Sequence, residues 1–322
     1  MEKVTLSAWP TPMEAAPRLA AEIGLAPDDL WIKRDDLTGL GGGGNKVRKL
    51  EWLVADALRC GADTLVTTGG PQSNHARLTA AAGARAGLDV VLVMPASGRP
   101  DRPGGNLLLD AALAARIVWA EAAGPAELTA HAETTCAELR DRGAVPYLVP
   151  FGGSSALGAR GYREAGAEIL AQQPGVRHVV TALGSGGTMA GLVAALGADR
   201  VLGIDVGALP DPATVAAAFA SGLTGQEVTA DRLRVRGEQV GTAYGVLHEP
   251  VLEAITTVAR TEGVVLDPVY TGRAAAGLVA AVRDGAIRPG ERTVLLHTGG
   301  LPGLFGHGEA ADRLGRMLLS GP

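Results

Sequence analysis

Short apolar runs alternate with longer mixed stretches along most of this 322-residue chain. The runs are rich in Val, Leu, Ile and Thr and are bounded by Gly, Asp and Pro, a pattern typical of strands buried on both faces of a parallel sheet. Strands are predicted at 30–34, 64–68, 90–94, 117–120, 146–149, 178–183, 201–206 and 293–297. Helices are predicted at 51–60, 74–86, 105–115, 125–142, 159–172, 188–196, 248–262 and 272–283.

The order of these elements predicts an α/β protein of two domains. One α/β series covers about residues 50–150, and a second begins near residue 156. The first 48 residues contain one strand, which is too little for a core of their own. We therefore expect residues 1–48 to join residues 156–322 in a large domain, with residues 49–155 inserted as a smaller one.

Composition excludes several classes of function. Hydrophobic residues make up 47% of the chain and aromatic residues 3%, so the core must consist mainly of Ala, Val and Leu. A net charge of −5 without a basic tract argues against nucleic acid as a partner. No segment approaches the roughly 18 apolar residues of a membrane span, and the first 20 residues lack the apolar core of a signal peptide. Cys60 and Cys136 resemble small core residues, which suits a reducing cytoplasm; no metal site is predicted.

The most informative segment is a run of four glycines, 41–44, that ends at Asn45 and Lys46. Such a run indicates a backbone that must come close to another group, and a lysine at a helix start suits a phosphorylated or carbonyl-bearing partner. The alternative is a flexible linker before a solvated lysine. A P-loop is excluded because Val47 stands where its Ser or Thr would be. A dinucleotide-binding fingerprint is excluded because its glycines directly follow a strand, whereas here residues 35–40 separate the strand 30–34 from the glycine run.

Two polar turns follow predicted strands and precede predicted helices. Residues 184–188 (Gly-Ser-Gly-Gly-Thr) combine free backbone N–H groups with two hydroxyls, which favours an anion site over an empty turn. Residues 69–75 (Gly-Gly-Pro-Gln-Ser-Asn-His) could bind a carboxylate, although ordinary helix capping by Ser or Asn explains them as well. His75 by itself is more often structural than catalytic.

Three further segments allow two interpretations. Tyr244 and Tyr270 lie in Gly-terminated polar turns and are either site residues or ordinary buried tyrosines. Residues 152–156 (Gly-Gly-Ser-Ser-Ala) imitate a hydrolase nucleophile turn, with Asp267 and His297 following in the expected order. The simpler interpretation of 152–156 is a hinge that returns the chain from the small domain.

Taken together, six motifs in a fixed order resemble one enzyme family. They are Lys33–Gly39 (KRDDLTG), 43–51 (GGNKVRKLE), 72–75 (QSNH), 244–245 (YG), 266–272 (LDPVYTG) and 297–300 (HTGG). The chain thereby resembles, over nearly its whole length, the pyridoxal-phosphate enzymes of the D-cysteine desulfhydrase and 1-aminocyclopropane-1-carboxylate deaminase family. The resemblance implies the two-domain fold type II of the tryptophan synthase β-subunit, each domain an open, mostly parallel twisted sheet flanked by helices. A homodimer is what the family suggests.

The resemblance also implies roles for individual residues. Lys46 would carry the cofactor covalently, Asn74 would lie beside its phenolic oxygen, and 185–188 with Lys49 would hold its phosphate. Cofactor-binding residues are Lys46, Asn74, Lys49, Ser185, Gly186, Gly187, Thr188 and Thr298. Catalytic residues are Lys46, Tyr270, Tyr244 and Ser73, and substrate-binding residues are Ser73, Asn74, His75 and Tyr270.

One difference within the family favours β-elimination. The ring-opening deaminases carry a glutamate facing the pyridine nitrogen and a leucine near the C-terminus, where this chain has Thr271 and Thr298. A hydroxyl permits a neutral ring nitrogen and hence a weaker electron sink, which suffices to expel a thiolate. We therefore expect a lyase that converts a small amino acid, D-cysteine above all, to pyruvate, ammonia and sulfide.

Four alternatives to the release of sulfide remain open. Ring-opening deamination or cysteate sulfo-lyase chemistry could occur on the same scaffold, and chloride is another conceivable leaving group. A non-catalytic carrier or sensor of pyridoxal phosphate is the alternative outside enzymes. Residues 69–71 (Gly-Gly-Pro) depart from the commoner desulfhydrase pattern and leave the preferred side chain undecided.

Overall fold

Two separate, largely parallel sheets organise the protein, whose computed structural model describes residues 2–122 and 124–319. The strands are β1 Met13–Ala15, β2 Leu30–Arg34, β3 Thr64–Thr68, β4 Asp89–Pro95, β5 Arg116–Ala120, β6 Pro146–Leu148, β7 His178–Leu183, β8 Val201–Asp205, β9 Arg234–Arg236 and β10 Thr293–His297. The helices are α1 Pro17–Ile23, α2 Lys46–Arg59, α3 Asn74–Ala86, α4 Asn106–Ala112, α5 Pro125–Asp141, α6 Ala156–Gln172, α7 Gly187–Leu196, α8 Pro212–Thr224, α9 Glu249–Glu262, α10 Thr271–Arg283, α11 Leu301–Phe305 and α12 Gly308–Leu319.

The order of strands confirms the predicted α/β class. The larger sheet runs β1-β2-β10-β7-β8-β9 and the smaller one β5-β4-β3-β6. Neighbouring strands are parallel throughout, except that β1 pairs antiparallel with β2 at the edge. Helices cover both sheets, so the strands are almost entirely buried, as their continuous apolar sequences predict.

Every predicted strand is present, with its bounds within one residue of the prediction. The helix expected at 51–60 begins five residues earlier, at Lys46, and the helix expected at 159 begins at Ala156. The sequence did not predict β1, α1, α8, β9, α11 and α12. Short edge strands and the alanine-rich α8 offer too little alternation or amphipathic contrast to stand out in the sequence.

The smaller sheet takes all its strands from residues 64–148, and the larger takes its strands from both sides of that segment. Leu6 and Leu40, from the N-terminal segment, nevertheless pack in the hydrophobic cluster around the smaller sheet. The division at residues 48/49 and 155/156 therefore stays a prediction. Within the described residues, no helix is both long and apolar enough to cross a membrane.

Helix α2 is fixed against α6 by close backbone contact and by a buried ionic network. A Cβ on Gly161 would lie 2.2 Å from the Arg48 carbonyl oxygen, so only glycine permits this approach. The Arg48 guanidinium donates to Asp35 and to Glu168, and it stacks 4.1 Å from the centre of the Trp9 ring. Because Arg48 lies two residues after Lys46, this network also fixes the start of α2.

Candidate active site

A cavity of about 820 Å³ lies between the two sheets. The ends of β3, β4 and β7 and the segments after β5, β6, β8 and β10 all contribute to its walls. These are carboxyl ends of parallel strands, the edge at which open α/β sheets bind ligands. The cavity brings together most of the residues that the sequence singled out: Lys46, Ser73, Asn74, His75, Ser185, Gly186, Thr188, Tyr244, Tyr270 and Thr298.

Lys46 is the first residue of α2, and its side chain reaches the cavity wall. Its Nζ donates to Asn45 Oδ1 at 3.2 Å, and no carboxylate pairs with it among the described residues. Burial, together with the positive charge of Arg77, lowers the pKa of this amine from 10.5 to about 8, although Asp267 opposes the shift. An appreciable fraction of the amine is therefore neutral, and hence nucleophilic and basic, near neutral pH.

The glycine run before Lys46 is required by the protein's own packing. Gly43 has φ +75°, and a Cβ there would lie 1.9 Å from the Asp36 carbonyl oxygen. The buried Arg77 donates to the carbonyl oxygens of Gly41 at 2.7 Å and Gly43 at 2.8 Å. The run is thus a fixed turn that aims Lys46, and the flexible-linker alternative is wrong.

Asn74 is held in one orientation by two residues that the sequence did not single out. Its Oδ1 accepts from Arg77 Nη2 at 3.2 Å and from Asn106 Nδ2 at 3.1 Å. With both interactions on the oxygen, the amide NH₂ group is left to donate into the cavity. Arg77 lies one helical turn after Asn74 in α3, whereas Asn106 carries no local sequence signal because it meets Asn74 only through the packing of α4 on α3.

Ser73 and His75 fit the structural interpretation as well as the site. Ser73 Oγ caps α3 by accepting from the Ala76 N–H at 3.1 Å, which leaves its own hydroxyl proton available. Thr67 donates its proton to the Val149 carbonyl, so it accepts from His75 Nε2 at 2.9 Å. Burial, then the charges of Lys46 and Lys49, hold the pKa of His75 well below 6.5, and the ring is neutral.

The turn 184–188 forms an anion cradle at the start of α7. Gly186 has φ +86°, and α7 begins at Gly187, so the first N–H groups of that helix face this turn. Ser185 and Thr188 both border the cavity, and Thr188 Oγ1 accepts from Asn45 Nδ2 at 3.1 Å. The cradle therefore stands beside Lys46 through Asn45.

Ser154 links this cradle to Lys49. Its hydroxyl oxygen accepts from Lys49 Nζ at 2.9 Å and from the Gly187 N–H at 3.2 Å, and it lies 2.8 Å from Ser185 Oγ. Ser154 therefore joins Lys49 to Ser185 and to the first N–H group of α7. The sequence treated 152–156 as a hinge, although the end of a parallel strand was a signal that could have identified Ser154.

The charges of the site fit a phosphorylated cofactor. Burial, reinforced by Lys46, holds the pKa of Lys49 well below 10.5. Lys49 has no carboxylate partner among the described residues, and its ammonium lies directly behind the cradle and out of contact with the cavity. An anion in the cradle would supply the missing counter-charge, so the residues present fit pyridoxal phosphate with Lys49 acting through Ser154 and the turn.

Tyr244 and Tyr270 face each other at the cavity wall. Their hydroxyl oxygens are 2.5 Å apart, and their rings pack edge to face with centroids 6.4 Å apart. Burial, followed by the influence of Tyr244, raises the pKa of Tyr270 well above 10. One hydroxyl donates to the other, and both residues line the cavity, which supports the site interpretation over that of ordinary buried tyrosines.

The two threonines that distinguish this chain within the family have different surroundings. Thr271 is buried, and its hydroxyl accepts from the Asp267 N–H at 2.8 Å and donates to Asp267 Oδ1 at 2.7 Å. It does not line the cavity, contrary to the expectation that it faces the cofactor ring. Thr298 does line it. Asp267 also borders the cavity, but four donors from Val269, Tyr270 and Thr271 occupy its carboxylate.

These contacts exclude the serine hydrolase alternative. The ring nitrogens of His297 are occupied by the Val265 carbonyl at 3.1 Å and the Gly299 N–H at 3.2 Å. Ser155 caps α6 through the Gly158 N–H, and no histidine lies within hydrogen-bond distance of Ser154 Oγ among the described residues. The serine of a Ser-His-Asp triad needs a histidine within hydrogen-bond reach, and none is present at either serine among the described residues.

Comparison with known proteins agrees with this geometry. Residues 4–299 match the family model described as "Pyridoxal-phosphate dependent enzyme". A Pyrococcus abyssi protein named "Putative 1-aminocyclopropane-1-carboxylate deaminase" is 40% identical over 319 residues, which cover 95% of this chain and 94% of that protein. The D-cysteine desulfhydrase of Salmonella schwarzengrund is 39% identical over 322 residues, covering 95% of this chain and 96% of its own.

Solved structures show the same similarity. A crystal structure of an ACC deaminase homologue superposes with a TM-score of 0.88 at 38% identity, covering 97% of this chain and 96% of that one. Threonine deaminase isoform 2 from Solanum lycopersicum shares the fold, with a TM-score of 0.63 at 20% identity over 91% of this chain and 80% of its own. The fold is therefore that of fold type II, as the motifs implied.

Proposed function

The chain belongs to the pyridoxal-phosphate dependent enzyme family, and from this premise we propose that it is a lyase that releases the β-substituent of a small amino acid, with D-cysteine as the foremost substrate. D-cysteine and water would give pyruvate, ammonia and hydrogen sulfide. The observation that carries this proposal is the buried Lys46 amine, with its pKa lowered to about 8, facing the same cavity as a hydrogen-bonded tyrosine pair and an anion cradle.

The proposed site residues divide between binding and proton transfer. Lys46, Asn74 and the turn 185–188, backed by Lys49, would hold the cofactor, and Thr298 is the hydroxyl offered to its ring nitrogen. Pyridoxal phosphate, when bound, withdraws electrons from the carbon next to the substrate's amino group. This chain's residues must then orient that carbon and move its protons.

Residues of the cavity are suited to binding the substrate and to each proton transfer. The substrate carboxylate would be bound by the Ser73 hydroxyl, the Asn74 amide and the N-terminus of α3. Neutral Lys46 Nζ would remove the proton from the α-carbon. The carbon–sulfur bond then breaks with its electron pair going to sulfur, and the Tyr244–Tyr270 pair supplies the proton that lets sulfide leave. His75, neutral and bound to Thr67, would shape the pocket without carrying charge.

Ring-opening deamination is the second candidate, favoured by relatives named for that activity. The cavity wall argues against it, since the one carboxylate among the described lining residues, that of Asp267, is fully engaged, and Thr298 could offer the ring nitrogen only a hydroxyl. Opening a carbon ring without a good leaving group should need a protonated, strongly electron-withdrawing pyridine ring.

Release of a sulfonate from cysteate would need a second cation in the cavity. Lys46 is the one Lys or Arg among the lining residues that the structure describes.

The test is a substrate panel on the protein loaded with pyridoxal phosphate. D-cysteine, L-cysteine, 1-aminocyclopropane-1-carboxylate and cysteate are each incubated, and sulfide, 2-oxobutyrate and sulfite are measured. We expect sulfide from cysteine and at least about 100-fold less of the other two products, a difference of roughly 2.7 kcal/mol in barrier. Faster release of 2-oxobutyrate would establish the deaminase instead. Lys46→Ala should abolish turnover, and normal turnover in that variant would refute the mechanism.

We also propose that the protein acts as a homodimer in the cytoplasm. Support comes from the family resemblance for the first and from two unpaired cysteines, Cys60 and Cys136, for the second. The acidic net charge of −5 supports the absence of a nucleic-acid partner. Sedimentation velocity at micromolar protein would measure the oligomeric state, and a monomer would refute the dimer.

A further inference from the structure

The segment that carries Tyr244 has no regular structure of its own. This Tyr244 segment, residues 237–247, runs between β9 and α9 as a series of turns. Its internal backbone bonds include Val240 N–H to Gly237 O and Val246 N–H to Ala243 O. So few local bonds cannot fix a catalytic side chain, and the segment must be held from outside.

Arg273 supplies that hold. Its buried guanidinium donates from Nη1 to the carbonyl oxygens of Gln239 at 2.9 Å and Val240 at 2.6 Å, and to Val206 at 3.2 Å. From Nη2 it donates to Val246 O at 2.7 Å and to Ala243 O at 3.4 Å. Within the described residues no carboxylate forms a salt bridge with it, so this buried cation is solvated almost entirely by the carbonyls of the Tyr244 segment.

The position of Arg273 in α10 ties this hold to the second tyrosine. Tyr270 immediately precedes α10, and Arg273 lies one helical turn later. The same turn of backbone therefore places Tyr270 and, through the guanidinium, Tyr244. His307 adds an anchor from the other side, since its Nε2 donates to the Gly245 carbonyl at 2.7 Å.

The charge of Arg273 also acts on the pair. Burial raises the pKa of Tyr270, and the nearby guanidinium opposes that rise. The hydrogen bond between the two phenols depends on their separation, and the pKa of each phenol is sensitive to a fixed cation nearby. Geometry and charge thus point to the same residue.

We propose that Arg273 is a positioning residue that holds Tyr244 against Tyr270 and so sets the proton delivery to the leaving group. The consequence for turnover rests on the proposed function, whereas the hold on the Tyr244 segment does not. Arg273 acts through the tyrosines and through main-chain carbonyls and makes no direct contact with substrate in this scheme.

The hold is tested by native-state proteolysis with a glutamate-specific protease. Glu238 is exposed, while the next residue, Gln239, is buried with its carbonyl on Arg273. Arg273→Met should speed cleavage after Glu238 by at least about tenfold, because the segment must open to be cut. Arg273→Lys, which keeps the charge and fewer donors, should fall between this variant and the parent. Arg283→Met, an exposed arginine of the same helix, is the matched control and should leave cleavage unchanged.

Turnover distinguishes a positioning role from a general structural one. Arg273→Met and Tyr244→Phe should each lower kcat by about tenfold or more with little change in KM. The double variant should lose little beyond Arg273→Met alone, because both changes remove the same contribution. Additive losses, or unchanged cleavage after Glu238 in Arg273→Met, would overturn the proposal. Faster cleavage in a protein that releases no sulfide from any substrate would refute the proposed function and leave the hold intact.

Discussion

The pKa of Lys46 is the property on which the proposed chemistry depends most directly. Burial and Arg77 lower it from 10.5 to about 8. At pH 7 an amine with a pKa of 8 is neutral in about one molecule in ten, whereas at 10.5 it is neutral in about one in 3,000. The structure therefore predicts roughly a 300-fold larger fraction of reactive amine than an ordinary lysine would have.

The chain is well suited to measuring this value, because it contains four lysines: Lys3, Lys33, Lys46 and Lys49. Cofactor-free protein is treated with trace acetic anhydride across pH 6–11, and acetylation of each lysine is followed by peptide mass spectrometry. Labelling of Lys46 should rise with a midpoint near pH 8. Lys3 is the internal reference, since its hydrogen bonds and charge interactions with Glu164 and Glu51 outweigh its partial desolvation and raise its pKa above 10.5.

The labelling experiment has two decisive outcomes and one control variant. A Lys46 midpoint near 8 with a later midpoint for Lys3 supports the geometry of the site. A midpoint of 10 or above for Lys46 would refute the reasoning, because it would mean that the amine is solvated or paired with a carboxylate. In Lys46→Ala the labelled peptide must disappear, which checks the assignment.

Further predictions concern the cradle, the glycine run and pH. Ser154→Ala should weaken binding of pyridoxal phosphate by about tenfold in a fluorescence titration, since it breaks the link from Lys49 to the turn 184–188. Ser155→Ala is the control: it removes a helix cap and should leave the affinity for pyridoxal phosphate unchanged. Gly43→Ala should lower the free energy of unfolding by about 2–5 kcal/mol, because of backbone strain and overlap with the Asp36 carbonyl oxygen. Gly61→Ala is the control, with an expected loss of about 1–2 kcal/mol, because its φ is also positive but the space around it is open. Equal losses in urea unfolding would contradict the packing argument. Below pH 6.5 His75 binds a proton in the unfolded state but stays neutral in the folded protein, so the free energy of unfolding in urea should fall as the pH falls below that value. His75→Asn should make the free energy of unfolding less dependent on pH in this range. An unchanged pH dependence in that variant would show that other groups dominate.

The comparison between sequence and structure separates two kinds of information. Strand bounds could be read to within one residue because period and punctuation are local properties of the chain. The order of motifs around Lys46, 72–75 and 185–188 was enough to identify the family and its cofactor.

Tertiary structure decided which candidates act together. Ser154 and Ser185 are 31 positions apart in sequence, and only the meeting of two sheet edges brings their oxygens to 2.8 Å. Thr271 and Thr298 both mark a difference from the ring-opening deaminases in the sequence motifs. In the structure the Thr271 hydroxyl is hydrogen-bonded to Asp267, whereas Thr298 borders the cavity.

The sequence by itself determined the fold class, the central strands and the choice of Lys46 as the candidate reactive lysine, because each depends on neighbours along the chain or on a fixed motif. Only the folded protein decided the orientation of Asn74 by Asn106, the link from Lys49 to the cradle through Ser154 and the hold of Arg273 on the Tyr244 segment. These contacts join segments whose separation in space is set by helix and sheet packing, and side-chain type alone does not encode that distance.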